Sequence, residues 1–212
     1  MKKIKTIITD FKKYKELIWH LAKTDFKLRY HGSTLGYLWT ILEPLLLFAV
    51  IYIVFSNFRG FKTEYYALQL ITAIMVFNFF TSGSSSAINC LRKQSNLLLN
   101  IKLPNWIFII STTLYNLLIF LMNLIVIIFF FICNLYLPSL ISIMFFVIYL
   151  FVLIIIVMAF GFLLSSLSIK FRDISHIWKI ITRVLFYATP IIWPLSMIPE
   201  QYQKLVLINP LA

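Results

Sequence analysis

From Leu103 to Ile169 no side chain of this chain carries a full charge. One segment, CNLYLPS at 133–139, divides that run into two apolar stretches, about Asn105 to Ile132 and about Leu140 to Leu167. Each exceeds the ~18 apolar residues that a helix needs to cross a hydrocarbon core ~30 Å thick. Few folds accept such a sequence. Backbone inside hydrocarbon must pair its own polar groups, which a helix does within one segment. The rest of the chain agrees. Of its 212 residues, 61% are hydrophobic and 12% charged, and the mean hydropathy is +0.93. Soluble domains average roughly 45–50% apolar and about 25% charged. The expected fold is an all-α integral membrane protein.

Three further spans are expected. Span one runs about Leu38 to Phe55 and span two about Tyr66 to Ile88, the latter weakened by Asn78 and the TSGSSS run at 81–86. Span five, about Ile180 to Trp193, is short and cut by Pro190 and Pro194. Before them, in residues 10–30, Phe11, Tyr14, Leu17, Ile18, Leu21 and Leu28 recur at three- and four-residue steps among lysines. That pattern predicts an amphipathic helix in the interface, apolar face towards the lipid tails, with Asp10 as its cap.

Charge sets the orientation. The segments 1–37, 89–104 and 168–183 hold nine, three and four Lys/Arg; the segments 57–65 and 194–212 hold only Arg59, Lys62 and Lys204. By the positive-inside rule the first group, N-terminus included, is cytoplasmic. The net charge of +12 is therefore a membrane-surface feature, and nucleic acid is not an expected partner. The start, MKKIKTIITDFKKYKELIWHLAK, has no apolar core or small-residue cleavage site and is not a signal peptide. Cys90 and Cys133 fall at opposite membrane borders and are expected to be unpaired thiols. The three histidines show no metal-ligand spacing.

No catalytic constellation is present. None of the five glycines sits in a P-loop frame, and neither a nucleophile elbow nor a zinc-protease motif occurs. Of seven acidic residues only Glu43 falls within a span, which excludes a relay of carboxylates. The energy for any transport is expected from another chain.

Four places carry information. Glu43-Pro44 lies about five residues into span one, roughly 8 Å deep, as an interface anchor or a group at the mouth of a path. Gly32 and Gly36 sit at the seam between basic and apolar sequence, where a joint is expected more than a helix contact. The basic segment 89–104 is too short for a core of its own and must dock on something or lie as a simple interfacial loop. Arg172-Asp173 at the cytoplasmic border reads as a solvated loop with an ion pair, or as an inner-gate or docking contact. At the other border, prolines 190, 194, 199 and 210 break the backbone at membrane depth. Such backbone survives only where protein or a water cavity satisfies it, so residues 190–208 are expected to dip back into the outer leaflet.

Three stretches, LRYHGSTLGYLWTILEPLLLFAVIYIVFS, NLLLNIKLP and FRDISHIWKIITRVLFYATPIIWPLSMIPEQYQKLVLINPLA, resemble the permease subunits of ABC exporters for polysaccharides and polyol phosphates (O-antigen, capsule, teichoic acid). These are a branch of the type-2 ABC transporter permeases, and the resemblance covers essentially the whole chain. The middle stretch departs from the family pattern, which has a basic pair and an aromatic where Leu99, Asn100 and Leu103 stand.

The resemblance implies a homodimeric channel in the bacterial cytoplasmic membrane. Two separate ATPase subunits would hold ATP and Mg, and this chain would bind no cofactor and no metal. It implies a single transmembrane domain over 1–212, with a cytoplasmic coupling element at 89–104 that uses Arg92, Lys93, Asn96, Leu97, Leu98, Lys102 and Pro104. Arg172 and Asp173 would contact the inner border. Lys27 and Arg29 would attract the pyrophosphate of a lipid-linked glycan, with Tyr37, Trp39, Glu43 and Tyr52 at the entry and channel. Tyr187 and Trp193 are further aromatic candidates for stacking on sugar rings, and each of these aromatics also fits a belt at the membrane interface. The outer gate segment, 190–208, would carry Pro190, Trp193, Pro194, Pro199 and Glu200. The family's sixth span is expected beyond Ala212, so the chain reads as truncated.

Rival readings are an exporter of drugs or other lipids, a membrane enzyme of envelope glycan synthesis, and a scaffold that transports nothing. The short 57–65 loop leaves no room for the large outer domain common among drug and lipid exporters. The scattered acids do not supply the metal and phosphate site that a glycosyltransferase needs.

Overall fold

The computed structural model describes residues 2–29, 31–56, 65–93, 103–193, 198–207 and 209. Among them every regular element is helical. In chain order these are α1 (Lys2–Arg29), a 3₁₀ turn (Gly36–Leu38), α2 (Trp39–Phe55), α3 (Tyr66–Lys93), α4 (Trp106–Cys133), α5 (Leu140–Lys170), α6 (Ile174–Ala188) and α7 (Glu200–Leu207). Four helical stretches are long and apolar enough to cross a membrane: Gly36–Phe55, Tyr66–Leu91, Trp106–Cys133 and Leu140–Lys170.

The least hydrophobic of these four is the most buried. α3 runs through the middle of the bundle, and α5, the most hydrophobic, is the most exposed. This inversion suits a lipid solvent, because apolar side chains gain nothing by leaving lipid for protein. Polar and small side chains gain most. α3 therefore continues unbroken through Thr81–Ser86, where the sequence suggests weakness. The Ser84 hydroxyl donates back to the Phe80 carbonyl (2.7 Å) and accepts from the Trp178 indole (3.0 Å). The Ser168 hydroxyl donates to the Ile88 carbonyl (2.8 Å), tying α5 to α3. Gly83 lies against Val157 and Gly161 against Ala87 and Ile109, so small residues let the backbones approach.

Around α3 the core includes Leu70, Ile71, Ile74 and Met75, packed by Phe48 and Ile51 of α2 and Val126 and Ile127 of α4. On its other side Phe79 and Phe80 meet Phe120, Leu153, Val157 and Trp178.

The helix ends follow local chemistry. Ser139 caps α5, its hydroxyl accepting from the Ser142 amide (3.2 Å). α6 stops at Thr189-Pro190; Thr189 is extended (ψ 141°), the conformation a following proline demands. α4 ends in a Schellman turn. The Tyr136 amide bonds to the Phe131 carbonyl and the Leu135 amide to the Ile132 carbonyl, both at 3.1 Å. Leu135 occupies the left-handed position (φ 51°) that glycine usually fills, and its side chain is almost fully exposed. A left-handed L-residue costs roughly 1–2 kcal/mol. Leu135→Gly is therefore expected to raise the thermal stability of the detergent-solubilised protein slightly, by about 1 kcal/mol after glycine's own entropy cost. A fall in melting temperature would show that the Leu135 side chain has a role beyond the turn.

Two expectations about α1 change. The helix spans Lys2–Arg29, so Asp10 lies within it and not at its start. Its apolar face is in part covered by protein: Ile18 and Ala22 are buried, Leu21 packs on Cys90, Leu91, Phe108 and Ile109, and the Tyr14 ring meets Trp106 edge-on at 6.1 Å. The face faces the start of α4 because the seam after Arg29 folds α1 back against the bundle. Gly32 (φ 81°) and Gly36 (φ 51°) form that joint, with nothing near enough to touch an added Cβ. Residues 89–93 of the expected coupling segment are the last turn of α3. Cys90 is buried, Cys133 exposed, and both are free.

Candidate functional site

The seam between α1 and α2 is where polar groups converge. Arg29, in the last turn of α1, donates to the Tyr115 hydroxyl of α4 (3.0 Å). Asp25, one turn earlier, pairs with Lys93 at the end of α3 (2.6 Å). The ammonium is largely exposed and the carboxylate mostly covered, so the pair holds α1 in place more than it stabilises the fold; exposed pairs contribute ~0–1 kcal/mol. Between α1, α3 and α4 these groups enclose a cavity of about 410 Å³, with Asn89, Ser111 and Thr112 also on its walls.

Arg29 is also part of the wall of a second, smaller cavity of about 60 Å³. Thr40, Glu43 and Pro44 of α2, Asn78 and Ser82 of α3, and Asn116 and Asn123 of α4 line it. Thr40, Asn116 and Asn123 are buried, and Thr40 Oγ1, Asn116 Oδ1 and Asn123 Oδ1 have no hydrogen-bond partner. Each unmade bond costs about 1–3 kcal/mol. A polar space of this size has room for water, which would satisfy them. Pro44, buried in the same wall, has no amide hydrogen to give the Thr40 carbonyl one turn before it. Glu43-Pro44 thus adds a carboxylate and a weakened helical turn to a pocket already rich in acceptors. Chemically the arrangement is a small polar cavity within apolar packing, bounded by a guanidinium and a carboxylate.

The structure unites some of the sequence candidates and separates others. Arg29 and Glu43 border one cavity, and Arg29 and Lys93 another. Lys27 is exposed and borders neither. Tyr37 is stacked on Phe26 (5.0 Å, 10°), and Tyr52 on Phe48 (5.5 Å) and Tyr66 (6.2 Å). Trp39 and Tyr187 are exposed. Arg172 and Asp173 are both exposed and form no ion pair with each other; the Asp173 carbonyl instead opens α6 by accepting from the His176 and Ile177 amides (both 3.0 Å). Pro104 is part-buried, its carbonyl accepting from Ile107 (3.1 Å). Asn96, Leu97, Leu98, Lys102 and Pro194 lie outside the described residues, as do the side chains of Arg92 and Glu200.

Ile191 and Ile192 are buried, and the Tyr66 hydroxyl donates to the Ile192 carbonyl (2.9 Å). The Trp193 indole donates to the Tyr187 carbonyl (3.3 Å). Pro199 precedes α7, and after α7 the Asn209 amide donates to the Thr189 hydroxyl (2.8 Å). Thr189 and Asn209 are therefore in contact.

The residues that sequence reasoning missed are Thr40, Asn78, Tyr115, Asn116 and Asn123. A signal for two of them existed: Thr112, Asn116 and Asn123 recur at steps of four and seven in an otherwise oily span, which is one helical face.

A family model described as "ABC-2 type transporter" matches residues 16–212. A Klebsiella pneumoniae protein named "O-antigen export system permease protein RfbA" is 28% identical over 93% of this chain and 76% of its own length. A second protein of that name and organism is 26% identical over the same shares. One of the same name from Myxococcus xanthus is 23% identical over 97% of this chain and 80% of its own.

Proposed function

The chain belongs to the ABC-2 type transporter family, and from that premise we propose that it is the membrane permease subunit of an ATP-driven exporter. Its cargo in this reading is a lipid-linked polysaccharide of the O-antigen kind, or a capsular or teichoic-acid-type polymer, moved outward across the bacterial cytoplasmic membrane. The observation that carries the reading is the match to O-antigen export permeases along more than nine-tenths of the chain. The charged and polar seam at α1–α2 supports it, because an ionisable group at membrane depth marks a transport path more often than a structural device.

In this mechanism two copies form the channel and two ATPase subunits drive it. ATP and Mg are held by those subunits, so the chain performs no covalent chemistry. The N-terminus is cytoplasmic, and the pyrophosphate of the cargo is drawn to Lys27 and Arg29 by charge. The head then meets the hydrated passage past Arg29 and Glu43, while the lipid tail stays in the bilayer. α6 supplies the fifth crossing. Its 15 residues rise only about 22 Å, so the broken segment from Thr189 onward completes the span and serves as the outer gate. The segment 89–104 couples the channel to the ATPase, and Arg172 and Asp173 offer a second contact on that side.

A tagged pull-down in mild detergent tests this reading, with the intact chain and with 92–103 replaced by a Gly/Ser linker. A P-loop ATPase at near-equal stoichiometry, lost from the linker variant, is the expected result. Retention by the linker variant would move the docking site elsewhere. Absence from both would remove the exporter mechanism.

A further inference from the structure

We propose that the end of the bundle remote from α1 carries a binding site for an uncharged glycolipid, separate from the seam at α1–α2. Two cavities adjoin there. One, of about 460 Å³, lies between the start of α3, the end of α4, α5 and the turn after α6. Its walls are mostly apolar and aromatic, with polar groups from Tyr65, Gln69, Thr72, Tyr136 and Tyr149. The other, of about 810 Å³, is a groove between α4 and α5 lined almost wholly by apolar side chains, among them Leu124, Ile128 and Ile132. Thr72, Phe131, Tyr136 and Phe146 belong to both, so the two spaces share a wall. Neither shares a residue with the cavity at Glu43 except through the helices that carry them.

The pairing dictates the ligand. A molecule that fills both spaces has a polar head and an oily tail, and both volumes fall in the range of ligand sites. None of the described lining residues is charged. A phosphate head would find no cation among these residues, whereas a sugar can lay its C–H face on an aromatic ring and bond its hydroxyls to Gln69, Thr72 and the tyrosines. Among these residues the chemistry favours a neutral glycosyl lipid of the bilayer over the pyrophosphate-linked cargo.

A second observation marks the same place. Among the described residues the only non-glycine positions with positive φ are Tyr65 (61°) and Leu135 (51°). One lines the head space and the other the tail groove, and the Tyr65 and Tyr136 rings stand 4.7 Å apart. The Schellman turn accounts for Leu135; Tyr65 is the strained position at the head space, and strained backbone concentrates where a ligand site has to be held in shape.

The test is lipid binding by native mass spectrometry and thermal shift, on the full chain in a detergent without a sugar head. The probes are monoglucosyl diacylglycerol, phosphatidylglycerol, diacylglycerol and free glucose. Monoglucosyl diacylglycerol is expected to bind at least ten-fold more tightly than each of the others. Thr72→Trp, which fills the shared wall, is expected to abolish that preference. Tyr136→Phe and Gln69→Leu, which keep the shape, are expected to weaken it several-fold. Equal binding of phosphatidylglycerol, or a preference unchanged in all three variants, would overturn the proposal. Saturable binding of glucose as tight as the glycolipid would replace it with a sugar site. No ATPase is needed, so the result stands apart from the exporter reading.

Discussion

Gly83→Leu is expected to lower the apparent melting temperature of the purified chain by about 10 °C. A Cβ at Gly83 would already lie 2.6 Å from Val157 Cγ1, closer than real carbons approach. Val157 is fully buried, and a valine in a helix has essentially one rotamer, so it cannot turn away. Overpacking costs about 1–3 kcal/mol for small insertions, and leucine adds three more carbons beyond that Cβ. In a chain of this size 1 kcal/mol corresponds to roughly 2–4 °C. The graded series carries the argument. Gly83→Ala should destabilise more than Gly161→Ala, whose added carbon would meet Ala87 and Ile109 at 3.2 Å. Val157→Ala opens a cavity and should cost about 1–2 kcal/mol alone. Combined with Gly83→Ala it should melt well above the sum of the two losses, because each change relieves the other. Additive losses would mean that α3 and α5 do not touch at this point.

That contact shows why parts of this architecture were legible in the sequence and others were not. The spans at 39–55, 106–133 and 140–170 follow from long, predominantly apolar runs, which constrain backbone directly. The weak signal at Thr81–Ser86 misleads because hydropathy measures comfort in lipid, and most of α3 faces protein. It is enclosed by the other helices, where Ser84 and Gly83 are assets. The burial of Ile18 and Ala22 was hidden for a related reason. An amphipathic pattern fixes that a face is covered, but not whether lipid or protein covers it. The Arg29 and Glu43 candidates were found because charge beside oil is conspicuous. Their neighbours Thr40, Asn78, Asn116 and Asn123 were not, since neutral polar side chains are common in spans and their convergence depends on how three helices are rotated.

Those asparagines give the last expected result. Asn116→Leu and Asn123→Leu should each leave the fold intact or raise its melting temperature, and should together reduce export by ten-fold or more. The first half follows from the unpartnered Oδ1 atoms. Each asparagine carries an acceptor that protein does not satisfy, and leucine removes it and fills part of the 60 Å³ space. Asn116 also gives up only a local bond, from its own amide to the Thr112 carbonyl one turn back. The second half follows from the proposed path. If the cavity beside Arg29 and Glu43 is the hydrated route for a polar head, an oily plug closes it. Stability and transport then move in opposite directions, as they do where a site retains polar groups at the expense of the fold. The measurement is surface polymer in cells that depend on the variant, with melting temperature and ATPase co-purification taken on the same protein. Lower export with lower stability and lost ATPase would make the asparagines structural. Full export from the double variant would place the path elsewhere in the membrane domain.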